Sequence, residues 1–591
     1  MKRKANCCVS IFISIVFGIS LFLIDVPVIA QNPDEKYLAN KTVTYEECTR
    51  FYKSLDEQYE TAELLEYGLT DIGKPLHLFV ISRDKIFDAA KIHAENKRVL
   101  LILNGIHPGE PDGIDACLKL SKDILSGKMD ESLLQNLVVC IIPVYNIDGM
   151  LNRSCCSRAN QNGPEEYGFR GNARNLDLNR DFIKCDSENA KTFTKIFQEW
   201  DPDVMVDTHV SDGADYPYIM TLISTQHNKL HPLPGTYLKE NFTPALFEKM
   251  KSKNDEMTVY VNTQRYDDSP ESGIYGFLET PRFSTGYAAL FNTIGFVAET
   301  HMLKPFPKRV QSTYNLLLSV IEIVNRDSEK IGSMRKQARK DCAEKKQFGL
   351  QWAVDTTKFD MISFNGYEMK HKKSAVTGFD RTYYDRNAPY TKQIKFYDEY
   401  YETVSVTSPE YYIIPQAWKE VIYRLEINGI KMLKLKKDTL LDAEMYYIEN
   451  YQTSREPYEG HYLKSKVEVR KVNQQIQFFK GDIIIPVNQE KNRYIVETLE
   501  PQGVDSWFAW GFFDSILQQK EWFSSYVYED KAAEILNSNW QLKKDFEIKQ
   551  KSDSAFAADS FSQLYYIFKN SPDFEKTFKR YPVARINYEL K

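Results

Sequence analysis

The sequence predicts an α/β fold, a mixed and largely parallel sheet sandwiched by helices, followed by a β-rich accessory domain. Three observations predict it. Over the first half, short apolar runs alternate with longer helical stretches, the pattern of strands joined by covering helices. Acidic residues and histidines (His107 and Glu110, Asp148, His209, Glu299) fall just past the carboxyl ends of those runs, the edge where open α/β sheets bind ligands. Beyond about residue 346 the chain becomes Tyr-rich, with pairs such as Tyr383-Tyr384 and Tyr446-Tyr447 and alternating segments that suggest antiparallel strands.

The elements follow in order. Lys2-Arg3-Lys4, the apolar run Val9–Leu23 and the small residues before Gln31 read as a signal peptide over residues 1–30, so the mature protein is expected to be exported (periplasmic, cell-surface or secreted). Thr44-Tyr-Glu-Glu-Cys48 opens a helix carrying Phe51, Tyr52 and Leu55; Tyr67–Gly73 is a turn; Leu76–Ile81 and Val99–Leu103 are strands. Asp112–Ser126 is a helix, Val138–Val144 a strand, Ser187–Trp200 a helix and Val204–Val206 a strand. Thr236–Ser252 reads as helical, Gly295–Ala298 as a strand, and a long helix runs from about Lys308 to Asp327. This places a first domain at residues 31–330, a charged boundary around Arg335–Asp341 and the accessory domain at 345–591. In the latter, Lys466–Val472 and Arg493–Glu497 read as strands, Trp418–Ile427 and Asp530–Leu536 as helices.

Composition narrows the function. Hydrophobic content of 42% and charged content of 27% are ordinary for a folded soluble protein. A formal charge of −6 argues against a nucleic-acid or anionic-membrane partner, and no segment after the leader is apolar enough to span a bilayer. Seven cysteines follow the leader (Cys48, Cys117, Cys140, Cys155, Cys156, Cys185, Cys342); export permits bridges, and the odd count leaves at least one thiol without a partner in the chain.

His107 and Glu110 stand three apart on a Pro-Gly turn, and His209 ends a separate strand at the same edge. Two imidazoles and a carboxylate are the donor set of an open catalytic zinc site, which implies one Zn2+ per chain and a hydrolase. Glu299 ends an apolar strand, where a carboxylate is costly without a task; beside a metal-activated water it takes a proton and passes it to a leaving amine. In Asn175-Leu-Asp177-Leu-Asn179-Arg180, alternate residues share one side if the segment is extended. Arg180 offers a fork for a substrate carboxylate, Asn179 a neutral donor, and Asp177 a partner for the free ring nitrogen of a ligand histidine.

Taken together, His-x-x-Glu, Asp-x-Asn-Arg, Asp-x-His and the downstream Glu resemble the M14 family of zinc metallocarboxypeptidases, with its carboxypeptidase A-like fold, over about residues 43–328. Tyr67–Lys74, Asn160–Gly163, Gly168–Asn172 and Ser284–Tyr287 are similar to a bacterial secreted subgroup of that family. The resemblance implies His107, Glu110 and His209 as zinc ligands, Asp177 behind His107, Asn179 and Arg180 on the substrate carboxylate, and Glu299 as general base and acid. It also implies a tyrosine closing over the substrate, matched to Tyr287, and an arginine stabilising the oxyanion. Arg153, Arg158, Arg170 and Arg174 are candidates for the latter, Arg158 being favoured.

The implied activity is removal of C-terminal residues from peptides. Competing readings are an amide hydrolase acting on cell-wall stem peptides and a non-catalytic binding protein that keeps a peptidase fold. Oligomeric state, side-chain specificity and the role of the accessory domain are not encoded legibly.

Overall fold

The apolar runs of the first half become strands β1 (Ala62–Leu69), β2 (Pro75–Ile81), β3 (Arg98–Leu103), β4 (Leu137–Ile142), β5 (Val204–Ser211), β6 (Met220–Ser224), β7 (Thr258–Val259), β8 (Ile274–Tyr275) and β9 (Ile294–His301). The structure is a computed structural model and describes residues 32–265 and 268–590, so the expected leader, residues 1–30, lies outside it. All of these strands except β8 join one eight-stranded sheet in the order β1-β2-β4-β3-β5-β9-β6-β7. Its centre is parallel (β4 with β3, β3 with β5, β5 with β9), and antiparallel pairs flank it at β1/β2, β2/β4 and β9/β6.

β3, β4 and β5 are buried at every position. Side chains alternate between the two faces of a strand, so complete burial requires cover on both. One helix pair, Asp112–Leu125 and Phe306–Arg326, packs together against the sheet. Another group joins Glu188–Trp200 to Ser284–Ala289 through a cluster of Phe182, Phe193, Phe197 and Tyr287 rings. The expected sandwich is thus present. The first helix, Tyr45–Gln58, begins as its sequence suggests: Thr44 and Glu47 form a capping box that satisfies two helix-terminal N–H groups. The stretch expected as one helix over Thr236–Ser252 is interrupted by a wide turn at Leu238–Phe242 before Pro244 restarts it.

The second half is β-rich and antiparallel, as expected. It contains β10 (Gln347–Val354), β11 (Asp360–Lys373), β12 (Asp380–Tyr397), β13 (Tyr400–Thr407), β14 (Tyr411–Ile414), β15 (Leu433–Lys434), β16 (Thr439–Thr453), β17 (Lys464–Phe478), β18 (Ile483–Pro486) and β19 (Ala584–Ile586). A six-stranded sheet has the order β15-β18-β14-β19-β16-β17, and β11 with β12 forms a long hairpin to which β8 adds in parallel. Helices cover Lys419–Ile427 and Ser525–Ser538, as expected. Arg493–Glu497 departs from expectation: it lies in a helix, Asn492–Leu499, whose residues are all buried. That helix starts without a side-chain cap to mark it, and its Arg493 pairs with Glu497 one turn on at 3.0 Å.

The charged run at Arg335–Asp341 belongs to a helix, Ser328–Glu344, and its Arg335 and Arg339 reach back to Asp201. Residues 33–591 pack as one unit, and the principal core runs from Tyr37 through Phe348, Tyr412 and Tyr494 to Val583. Cys48, Cys117, Cys140, Cys185 and Cys342 are buried free thiols, while the neighbours Cys155 and Cys156 bridge each other. Among the described residues, no helix is long and apolar enough to cross a membrane.

Candidate metal centre and crevice

The connection leaving β3 runs to β4 on one side, while β5 lies on the other. Where a parallel sheet diverges in this way, a crevice opens past the strand ends. Gly105, with φ of +66°, turns the chain out of β3 through a conformation that side chains resist. A tight turn follows, closed by the Glu110 N–H donating to the His107 carbonyl at 2.8 Å. His209 and Glu299 are not beyond their strands but within them, directly opposite each other in the β5/β9 register. Both strands run further than expected because they pair with each other as far as Ser211 and His301.

His107, Glu110 and His209 converge, all three buried, with ligand atoms within 4.8 Å of one another. The His107 and His209 Nδ1 atoms are 3.2 Å apart. Glu110 Oε2 lies 3.0 Å from His209 Nδ1 and Oε1 lies 3.3 Å from His107 Nδ1. Each ring is held from behind: His107 Nε2 is 2.8 Å from Asp177 Oδ1, and His209 Nε2 is 2.9 Å from Asp207 Oδ2. An ionised carboxylate only accepts, so each Nε2 carries a proton, and each Nδ1 is the ring nitrogen that would give its lone pair to a bound metal. Two inward-facing ring nitrogens and a carboxylate form a donor set for a cation. Their separations match the roughly 3.3 Å edge of a tetrahedron built on bonds of ~2.0–2.1 Å. The donor set therefore fits zinc.

The field around this centre is strongly structured. Burial alone would raise the Glu110 carboxyl, but Arg158 and the two imidazoles hold it well below the usual range. Burial would lower His209, yet Asp207 and Glu110 raise it well above an ordinary histidine. Glu299 has neither a salt bridge nor a hydrogen bond to its carboxylate among the described residues; burial, reinforced by Glu110 and Asp207, lifts it to about 8 against the pull of His209.

The crevice, about 250 Å³, is lined by His107, Glu110, His209, Glu299, Arg158, Arg170, Asn179 and Arg180. Asp177 sits behind His107 rather than in an extended strand: it caps the short turn Leu178–Arg180, accepting the Asn179 N–H at 2.9 Å. Asp favours this position because its oxygen can satisfy a turn N–H locally. The turn delivers Asn179, whose Oδ1 is buried without a partner, and Arg180, whose guanidinium lies 4.3 Å over the Phe283 ring.

The candidate arginines separate clearly. Arg158 is held by protein at each nitrogen: Nε on Gln161, Nη1 on Glu110 at 2.5 Å and Nη2 on the Val210 carbonyl, with its side chain 17% exposed. Arg170 rests Nε and Nη2 on Asp177 at 3.0 and 2.9 Å and keeps Nη1 as far as 3.5 Å from Glu110, with its side chain 46% exposed. Arg153 bonds the Val43 and Glu166 carbonyls and Arg174 the Asp186 carbonyl, both away from the crevice. Tyr287 is a correction: it is fully buried, its hydroxyl on Asn428 at 2.6 Å and Gln198 at 3.1 Å, because its helix turns it into the aromatic cluster. The phenol on the crevice wall is Tyr260. Asp148 is also displaced; it accepts the Ala173 N–H outside the crevice.

Asp207 was read only as part of the Asp-x-His motif, with no role, and Tyr260 and the buried Glu279 were not singled out from the sequence. For Asp207 a signal existed: it stands two residues before His209 on a strand and so shares its face. A second cavity of about 220 Å³ shares the Ile223, Tyr260 and Phe277 wall but includes none of the candidate ligands.

Residues 48–268 match the family model described as zinc carboxypeptidase. Carboxypeptidase 2 of Trichophyton equinum is 21% identical over 435 residues, covering 71% of this chain and 74% of the relative. Carboxypeptidase 2 of Trichophyton rubrum is 22% identical, over 69% and 72% respectively. Among solved structures, a putative carboxypeptidase from Burkholderia mallei superposes with a TM-score of 0.36 at 18% identity, over 48% of this chain and 68% of that one. Carboxypeptidase A from Helicoverpa armigera gives 0.37 at 15%, over 51% and 80%.

Proposed function

We propose that the chain, whose residues 48–268 match the family model described as zinc carboxypeptidase, releases C-terminal residues from peptides after export. The observation that carries this reading is the juxtaposition of a preformed three-ligand centre with Asn179 and Arg180 in one crevice. Held by His107, Glu110 and His209, zinc would polarise a scissile carbonyl and acidify a water molecule.

The protein's own groups do the rest. Asp177 and Asp207 fix the tautomers and orientations of the two imidazoles. Asn179 and Arg180 bind the free carboxylate of the substrate terminus, which presents the last peptide bond to Glu299. Glu299, unpaired and with its proton affinity raised by burial, takes a proton from the attacking water and delivers it to the departing amine. Negative charge that develops on the carbonyl oxygen meets Arg170, the more exposed of the two arginines on the crevice wall and the one held only loosely to Glu110. Arg158, largely covered and with Nη1 2.5 Å from Glu110, instead secures that ligand. Tyr260, rather than Tyr287, is the phenol placed to cover a bound substrate.

The test is metal analysis of the purified chain combined with mass spectrometry of products from peptides bearing free or amidated C-termini. One zinc per chain and loss of single C-terminal residues from free peptides alone are expected. Equal cleavage of both peptide sets would overturn carboxylate capture and favour an amide hydrolase. For export, an N-terminus at Gln31 on protein recovered from outside the cytosol is expected; retention of Met1 would refute leader removal.

A further inference from the structure

The hairpin connection between β16 and β17 does not end in solvent. Tyr458-Glu459-Gly460-His461 forms a tight turn closed by Tyr458 N–H to the His461 carbonyl at 2.7 Å and by His461 N–H to the Tyr458 carbonyl at 3.0 Å. Both central residues have positive φ, 49° at Glu459 and 82° at Gly460. Glycine occupies that region freely; glutamate does so at a cost, which points to a task for its side chain. Glu459 Oε2 accepts the backbone N–H of Asp177 at 2.8 Å. The Tyr458 hydroxyl accepts Arg180 Nε–H at 3.0 Å, while its ring stacks on Trp510 with centroids 6.1 Å apart. His461 completes the dock by bonding Asp186 at 2.6 Å.

The geometry points to this turn as the positioning element of the substrate-carboxylate pocket: Tyr458 and Glu459, from the C-terminal half, set the pose of Arg180 and of the Asp177–Arg180 turn. Arginine has five N–H donors in a rigid fork. With Nε on Tyr458 and one Nη1 proton on the Asn179 carbonyl at 3.0 Å, the plane of the fork is fixed. The remaining protons are left to meet a carboxylate. Without the phenol oxygen the guanidinium is free to swivel on the Phe283 ring. The half of the chain that carries no catalytic group thereby contributes to substrate affinity.

This inference rests on Arg180 binding the substrate carboxylate, and the experiment separates the two. N-acylated dipeptides and their C-terminal amides are assayed with the full zinc-loaded chain. In Y458F, which keeps the ring stack, KM for the free acids rises roughly tenfold, as for loss of a hydrogen bond to a charged group, and kcat stays within about twofold. In an R180A background, Y458F adds nothing further. An unchanged KM in Y458F, or an equal increase in the R180A background, overturns the inference. Wild-type protein that hydrolyses acids and amides equally overturns the reading of Arg180 itself, before any variant of Tyr458 is made. Should Y458F fail to fold, E459A carries the same test: KM for the acids rises by about threefold or more, and an unchanged KM overturns the inference.

Discussion

At the scale of single residues, the site separates groups that react from groups that hold. Among the described residues the Glu299 carboxylate takes no side-chain hydrogen bond, whereas Asp207 backs His209, and Asp177 backs His107 while also holding Arg170 and the Asn179 N–H. Exchange of Glu299 for Gln is expected to lower kcat by about 10²–10⁴-fold with zinc content unchanged, read by steady-state assay and metal analysis; retained turnover would refute its role as base. Asp207→Asn is expected to do the reverse in kind, weakening zinc affinity by roughly 10–100-fold in a competition titration with a chelator. Unaltered affinity would show that His209 needs no such support. The ligands were legible in the sequence because they are tied to strand ends, and strands announce themselves by apolar runs. The choice among the four candidate arginines, and Tyr260, were not, because loops place them: which arginine is tied to Glu110 depends on Gln161 and Val210, which only the folded chain brings together.

At the scale of elements, backbone proximity sets what the site tolerates. The helix Asp112–Leu125 begins directly after the Glu110 turn and crosses β5 so closely that a Cβ on Gly113 would collide with Thr208 and Asn104. Gly113→Ala is therefore expected to destabilise the protein by about 1–3 kcal/mol, the usual cost of overpacking, seen as a lowered unfolding midpoint in denaturant. A midpoint equal to wild type would mean that the helix can move without penalty. The helix Tyr45–Gln58 announces its start with a capping box, whereas Asn492–Leu499 has no side-chain cap to mark it. The segment Leu176–Arg180 alternates like a strand, yet Asp177 caps its own turn, so a local side-chain bond overrode the two-residue period.

At the scale of the whole molecule, the two halves are joined by buried polar contacts as well as by core. Arg493 donates to the Ala289 carbonyl at 2.7 Å, Arg282 pairs with Asp505 at 2.6 Å, and Asn428 accepts the Tyr287 hydroxyl. Heat or denaturant should therefore unfold residues 33–591 in a single transition by calorimetry; two separated transitions would contradict the shared core. Acid should act partly through Asp201. Burial would raise its carboxyl, but Arg335 and Arg339 outweigh that and bring it to about 2. An unfolded Asp titrates near ~3.9, so this contribution is complete above that pH and is lost as the pH falls toward 2. The side chain is 28% exposed, which limits the contribution to about 1–2 kcal/mol. Asp201→Asn should flatten the stability profile between pH 4 and 2, and an unaltered slope would rule this contribution out.

The two residues of β8 pair with β12 across more than a hundred positions of sequence. A protease that clips the chain between the halves would on this account yield two fragments that remain associated, inseparable by gel filtration until denaturant is added. Trimming from the carboxyl end would inactivate the protein rather than liberate a smaller working enzyme.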